Sequence, residues 1–395
     1  MKIVAILEDD AAGGGGFHQA LNAILQMRDL CAGRHEFLVM TTQASSLGAL
    51  RALGLQAERF DFSLADKLLS YLAQSPWWQA LQVRLKLTAA FEKALRRRGC
   101  DLAYFLTPSA RPNILQRLNY IVTLLDLCHR DTPEFPEVRE YARFQVRERL
   151  YRSVLPPASL ILTDSADLAA AVARRYGIDA GRLLPMPFAP APQLAAASSR
   201  DKGAVLADHG LEEGYFFYPA QFWAHKNHIR ILQALRILRE DGQRPHVVFA
   251  GGDRGNRVHV ERFVAENALG DQVRLLGFVP GEDMRGLYEG CRAVLMPTYF
   301  GPTNIPPLEA WLLRRPLIYS SHFAAHAGDA ALCVDPDDAQ ALAAAMRACA
   351  DQATCERLVA AGALRLRETE SRRKEAEAEL LARLNQFEAR RACWP

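Results

Sequence analysis

A lysine, a row of backbone amides spaced by prolines and a glutamate give this chain the parts of a site for an anion joined to hydroxyls. The lysine is Lys226, in the polar segment Ala220-Gln-Phe-Trp-Ala-His-Lys-Asn-His228. The rest lies in Met296-Pro-Thr-Tyr-Phe-Gly-Pro-Thr-Asn-Ile-Pro-Pro-Leu-Glu-Ala-Trp311. The apolar run before it, from Arg292, reads as a buried strand, and an apolar helix carrying Glu309 follows it. Strand, loop and helix start turn backbone N–H groups toward an anion. Pro302, Pro306 and Pro307 lack that donor, which leaves Thr303, Asn304 and Ile305. Glu309 falls about one turn into the helix, where it can accept from sugar hydroxyls. A fixed ammonium and N–H groups together suit a diphosphate without a metal. An ordinary strand–helix connection is the alternative reading of the same residues.

Metal-holding carboxylates are not evident in the spacing. No Asp-x-Asp stands at a strand end; Asp9-Asp10 and Asp337-Asp338 are adjacent pairs, and sequence neighbours point apart. The eight cysteines include no C-x-x-C pair and read as reduced thiols. The net charge of +3 in 395 residues makes no demand for nucleic acid.

The elements that must position these groups form two similar halves. Apolar runs at 3–7, 36–42, 56–62, 102–107, 120–127, 160–163 and 184–190 read as strands separated by helical spacing, including one continuous helix over 138–154. Residues 191–213 shift to Ala, Ser, Asp, Lys and Gly and read as a linker. Alternation then restarts with strands at 215–219, 246–250, 273–278, 292–296, 317–320 and 331–334. The expected segments are an N-terminal domain 1–190, a linker 191–213, a second domain 214–360 and a charged C-terminal helix 361–395. Ligands of such sheets bind at the carboxyl ends of the strands. The loops Gly13–Gly16, Asp126–Asp131, Gln221–Asn227, Gly251–Gly252 and Thr303–Glu309 are therefore expected to line one shared cleft. Gly15 and Gly16 let a ligand approach the backbone. Asp126, His129, Arg130 and Asp131 form a polar cluster at the end of an apolar strand, with a histidine that can donate near neutral pH.

One surface feature stands apart. Trp77 and Trp78 adjoin a helical stretch bearing Arg84, Lys86, Lys93, Arg96, Arg97 and Arg98 against the single acid Glu92. Tryptophan with lysine and arginine suits an anionic bilayer surface; a solvated basic face over a packed core is the alternative. No run of about 18 apolar residues is present, and the first residues read as a strand rather than a signal peptide. The expected location is cytoplasmic, at the inner face of the membrane where that contact is made.

Taken together, Phe217-Tyr-Pro-Ala-Gln-Phe-Trp-Ala-His-Lys-Asn-His228, Val248-Phe-Ala-Gly-Gly252, Leu276-Gly-Phe-Val-Pro280 and Gly301-Pro-Thr-Asn-Ile-Pro-Pro-Leu-Glu-Ala310 resemble, in order and spacing, retaining GT-B glycosyltransferases of family GT4. The resemblance implies an α/β GT-B fold: two Rossmann-like doubly wound domains facing across a cleft, with the C-terminal helix crossing back. It implies a metal-independent, retaining hexosyltransferase with no cofactor, using a nucleotide-diphosphate sugar (GDP-mannose first) and a saccharide or lipid-linked saccharide acceptor in surface polysaccharide synthesis. Lys226 is similar to the lysine that holds the donor diphosphate. Glu309 resembles the ribose-binding second glutamate of the family pair, Asn304 and Ile305 the phosphate donors, Phe278 a neighbour of the base and His129 a histidine beside the transferred sugar. Two positions depart from the pattern: Gly301 stands where the first glutamate falls, and Gln221 where an arginine accompanies the lysine. A non-hydrolysing sugar-nucleotide epimerase and a non-catalytic nucleotide-sugar binding protein are the alternatives.

Overall fold

The structure, a computed structural model, describes residues 1–10, 14–85, 88–195, 200–301 and 304–394. Thr303, Gly13 and Lys86 lie outside the described residues. The chain divides into two compact units, each built on one parallel sheet.

The first unit comprises 1–133, 138–188 and 372–395. Its strands are β1 (Lys2–Leu7), β2 (Glu36–Thr41), β3 (Ala57–Arg59), β4 (Leu102–Phe105), β5 (Asn119–Leu124), β6 (Leu160–Thr163) and β7 (Leu183–Pro185), in spatial order β3-β2-β1-β4-β5-β6-β7. Strands such as β4 and β6 are buried along their whole length, as helices on both faces of a parallel sheet require. Helix ends are set locally: Ser165 Oγ accepts from Leu168 N at 3.2 Å, and Gly177 closes the same helix in the left-handed region at φ 64°.

The second unit comprises 134–137 and 189–371. Its strands are β8 (Phe216–Pro219), β9 (Val247–Ala250), β10 (Val273–Gly277), β11 (Ala293–Met296), β12 (Leu317–Ser320) and β13 (Leu332–Val334), in order β10-β9-β8-β11-β12-β13. The strand order reverses between β8 and β11, so the loops leaving these two neighbours open a crevice at the carboxyl edge.

Three segments differ from expectation. Residues 191–213 are not a bare linker. A helix, Lys202–Asp208, packs into the second unit with Val205 and Leu206 buried, and Gly286 and Gly290 leave the room they fill. Its two buried apolar residues are too few to show as periodicity. The helix expected over 138–154 is broken, because Tyr141 and Ala142 are left-handed at φ 52° and 57°; the regular part runs Arg143–Val154. The last helix begins earlier, at Gln352, and runs to Arg391. Leu358 is buried in the second unit's part of it, Leu380 and Leu384 in the first unit's core.

Candidate functional site

The β8 and β11 loops of the second unit carry the residues singled out above. After β8 the chain makes a short turn, Ala224–Lys226, and leaves it through Asn227 at φ 58°. That left-handed residue is held by its own side chain. Asn227 Nδ2 donates to Pro297 O at 3.1 Å and Pro336 O at 2.8 Å, which ties the β8 loop to those after β11 and β13. Tyr218 OH donates to Lys226 O at 2.6 Å. The Lys226 ammonium donates to Asn304 Oδ1 at 2.9 Å, so the lysine and the start of the helix Ile305–Leu312 meet although 78 residues separate them.

Asn304 caps that helix with its backbone rather than its side chain, which is turned to Lys226, to Gly301 O at 2.6 Å and to Tyr319 OH at 3.1 Å. Prolines occupy the second and third helical positions, so Ile305 carries the N–H of the first turn. A cation and a helix N-terminus thus converge at the switch point of the sheet.

Glu309 is buried farther along the helix, 6% exposed. Tyr288 OH donates to its Oε2, and Ala191 N to its Oε1 at 3.4 Å. Burial pushes the carboxyl up to about 7 despite these two donors.

Gly251 follows β9 where no side chain fits: a Cβ there would lie 2.2 Å from Ala220 O. The glycine lets the β9 loop cross the backbone leading to Gln221. Gln221 carries no charge and accepts from Trp223 Nε1 at 3.2 Å. Phe278 stands 66% exposed at the end of β10. The departure at Gly301 is deeper than a missing carboxylate. Its φ is +105°, and a Cβ would lie 2.8 Å from Asn304 Oδ1. Gly301→Glu is therefore expected to displace Asn304 and destabilise the fold by about 1–3 kcal/mol, read as a lower denaturation midpoint with no gain in turnover.

In the first unit the polar loop after β5 folds inward. Asp126 Oδ1 accepts from Cys128 N at 3.0 Å and pairs with Arg147 at 2.8 Å. Burial alone would raise its carboxyl, but Arg147 and Cys128 outweigh this and hold it below its ordinary value. The turn Cys128–Asp131 then points His129 into the fold, 1% exposed, with Nε2 3.2 Å from Glu148 Oε2 and its ring 5.2 Å from that of Tyr151. Burial, reinforced by Arg147, lowers the imidazole's pKa. The ring is thus held inside the first unit rather than exposed on its surface. Gly15 and Gly16 open the helix Gly15–Cys31 with open space where their Cβ atoms would be.

Several polar residues were missed. Glu8, Asp9 and Arg111 meet where β1 and β4 reverse the strand order: Arg111 Nε lies 3.5 Å from Glu8 Oε2, and Thr107 donates to Asp9 Oδ2 at 3.2 Å. Their position at strand ends was the available signal. Glu137, which meets His225, had none.

The basic surface also resolves residue by residue. Trp77 is 63% exposed, whereas Trp78 packs against the core. The two acids of the stretch 64–98 face inward. Glu92 Oε1 accepts from three backbone amides (Gln116, Arg117 and Leu118), and Asp66 from Ala90 and Phe91. Exposed Leu64, Leu68, Tyr71 and Trp77 therefore share this stretch with Lys67, Arg84, Lys93, Arg96 and Arg97, and no exposed acid is present among the described residues of 64–98. No helix of the described residues is long and apolar enough to cross a membrane.

Residues 213–352 match the family model described as glycosyl transferases group 1. The chain is 28% identical over 213 residues to O-antigen chain mannosyltransferase B of Escherichia coli, an alignment covering 53% of this chain and 56% of that protein. The chain thus spans about half the length of the curated relative it matches. Anabaena HepE, solved with UDP and glucose, superposes with a TM-score of 0.70 at 17% identity over 98% of this chain and 100% of that one. Sucrose-phosphate synthase from Thermosynechococcus elongatus gives 0.70 at 19% identity over 98% of each chain. The fold is that of the GT-B glycosyltransferases.

Proposed function

We propose that this chain is a retaining, metal-independent hexosyltransferase that takes a nucleotide-diphosphate sugar as donor and a saccharide or lipid-linked saccharide as acceptor in surface polysaccharide synthesis. The observation that carries it is the convergence of Lys226, Asn304 and the Ile305 amide at the switch point of the second unit's sheet, within the residues that match the group 1 model. Lys226 and the amide stabilise the departing diphosphate. The leaving phosphate oxygen accepts the acceptor's proton on the same face of the sugar, so no enzyme nucleophile is required. Glu309 accepts from the ribose hydroxyls. GDP-mannose is the donor to try first, supported by the mannosyltransferase name of the Escherichia coli relative.

The test is a thermal-shift screen without added metal against UDP-, GDP-, ADP-, TDP- and CDP-sugars. One nucleotide should raise the melting temperature of the wild type by mass action, and the donor that does so should yield a glycosylated acceptor of unchanged anomeric configuration. Binding without any turnover would favour a nucleotide-sugar binding protein, the reading that Gln221 and Gly301 support. Conversion of donor without acceptor would favour the epimerase.

The acceptor is met at the cytoplasmic face of a membrane, and the exposed apolar and basic residues of 64–97 make the contact, with Trp77 and Arg96 in it and Trp78 beneath. Trp77→Ser is expected to lower binding to vesicles containing phosphatidylglycerol about tenfold, and salt should weaken binding of the wild type. Co-sedimentation reads both; equal binding to neutral and anionic vesicles would overturn the contact.

A further inference from the structure

The segment Glu134–Glu137 groups with the second unit, although the residues on both sides of it group with the first. It reaches the two loops of the switch point. Phe135 places its ring 5.2 Å from that of Tyr299 and 5.4 Å from that of Phe300 in the β11 loop. Glu137 Oε1 accepts from His225 N in the β8 loop at 3.0 Å and makes a shorter contact with His225 Nδ1. The His225 ring in turn stacks on Phe300 at 3.8 Å and 17°. Carboxylate and imidazole are both nearly buried, with 9% and 10% of their side chains exposed.

Burial would raise the Glu137 carboxyl, but the bonds from His225 outweigh it, so the group stays ionised at neutral pH. An ionised carboxylate accepts only, so Nδ1 carries the proton and the ring orientation is fixed. His225 directly precedes Lys226. The turn that presents the ammonium is thus tied by Tyr218 at Lys226 O, by Asn227 to the Pro297 and Pro336 carbonyls, and by Glu137 at His225. This is also where the chain lacks two charged residues, at Gln221 and Gly301. With neither charge at those two positions, diphosphate binding gains from holding the lysine in one place, because an ammonium on a flexible stem loses rotamer entropy when it is fixed.

We propose that Glu137 is a positioning residue of the donor site: it clamps His225 through two contacts to one carboxylate oxygen and thereby holds Lys226 for the donor diphosphate. This rests on the nucleotide-sugar reading above.

The test compares the affinities of UDP, GDP, ADP, TDP and CDP with those of the corresponding nucleosides, by calorimetry on the full chain. Glu137→Gln keeps the shape and removes the charge; Glu137→Ala removes both; Glu137→Asp restores the charge on a shorter arm. The diphosphate that binds the wild type should lose affinity about threefold in Glu137→Gln and about tenfold in Glu137→Ala, with partial recovery in Glu137→Asp. Nucleoside affinity should be unchanged in all three variants, and the melting temperature of unliganded Glu137→Gln should stay close to that of the wild type. Wild-type affinity in Glu137→Gln and Glu137→Ala would overturn the proposal. So would a parallel fall in nucleoside affinity and melting temperature, which would make Glu137 a prop of the fold. If the wild type binds none of the five diphosphates, the nucleotide-sugar reading fails first and this inference falls with it.

Discussion

Lys226→Ala is expected to lower turnover by about 10²–10³-fold, the scale of loss when one preorganised donor to a developing oxyanion is removed. The lysine is prepared for the role before any ligand arrives. Its carbonyl is held by Tyr218, its successor Asn227 is locked to two carbonyls, and its ammonium already rests on Asn304. Little reorganisation is then needed when a diphosphate binds. Lys226 is only partly buried, so the variant should keep its melting temperature while losing the stabilisation that a nucleoside diphosphate gives the wild type. Lys226→Arg should restore only part of the activity, because a planar fork does not replace a compact ammonium against Asn304 Oδ1. Steady-state kinetics with the donor found by thermal shift would decide this, and near-wild-type turnover in Lys226→Ala would remove Lys226 from the mechanism.

Glu309→Gln should have the largest effect on the pH dependence of stability. Burial raises the folded-state pKa of Glu309 from 4.5 to about 7. The folded protein therefore binds its proton more tightly than the unfolded chain does. The stability linked to that proton is fully present below the unfolded value near 4.5 and is lost as pH rises through about 7. The whole excursion is worth on the order of 3 kcal/mol. Glutamine has no proton to lose and can accept from Ala191 N while donating to Tyr288 OH. The variant should thus match the wild type near pH 4.5 and exceed it at pH 8, in denaturant midpoints measured across that range. Equal pH slopes in the two proteins would show that Glu309 titrates normally. A buried carboxyl kept at such a cost above neutral pH is expected of a group that binds ligand hydroxyls, so the more stable variant should also be the less active one.

Much of the frame was legible in the sequence. The apolar runs at Leu160–Thr163 and Leu317–Ser320 form strands over those same residues, because a strand buried on both faces needs nothing but apolar neighbours along its own length. Alternation with helices makes the sheets parallel, and a parallel sheet collects its polar loops at one edge. The meeting of Lys226 with Asn304 follows from that rule. The glycine at 251 and the prolines at 306 and 307 also speak locally, through the side chain or the N–H they lack.

What only the tertiary structure decided concerns partners far apart in sequence. Glu137 reaches His225 across 88 residues, and no local pattern announces it. His129 lies in a polar loop, yet Asp126 and Arg147 draw that loop inward and bury the ring against Glu148. Gly301 read as a missing carboxylate, but its positive φ and the nearby Asn304 show a position where any side chain would be strained. Burial raises the carboxyl of Glu309 against the opposing pull of Tyr288 and the backbone of Ala191. Periodicity fixes which face of an element is apolar; which distant groups share that buried space, and so which charges are held or displaced, is set only when the elements pack.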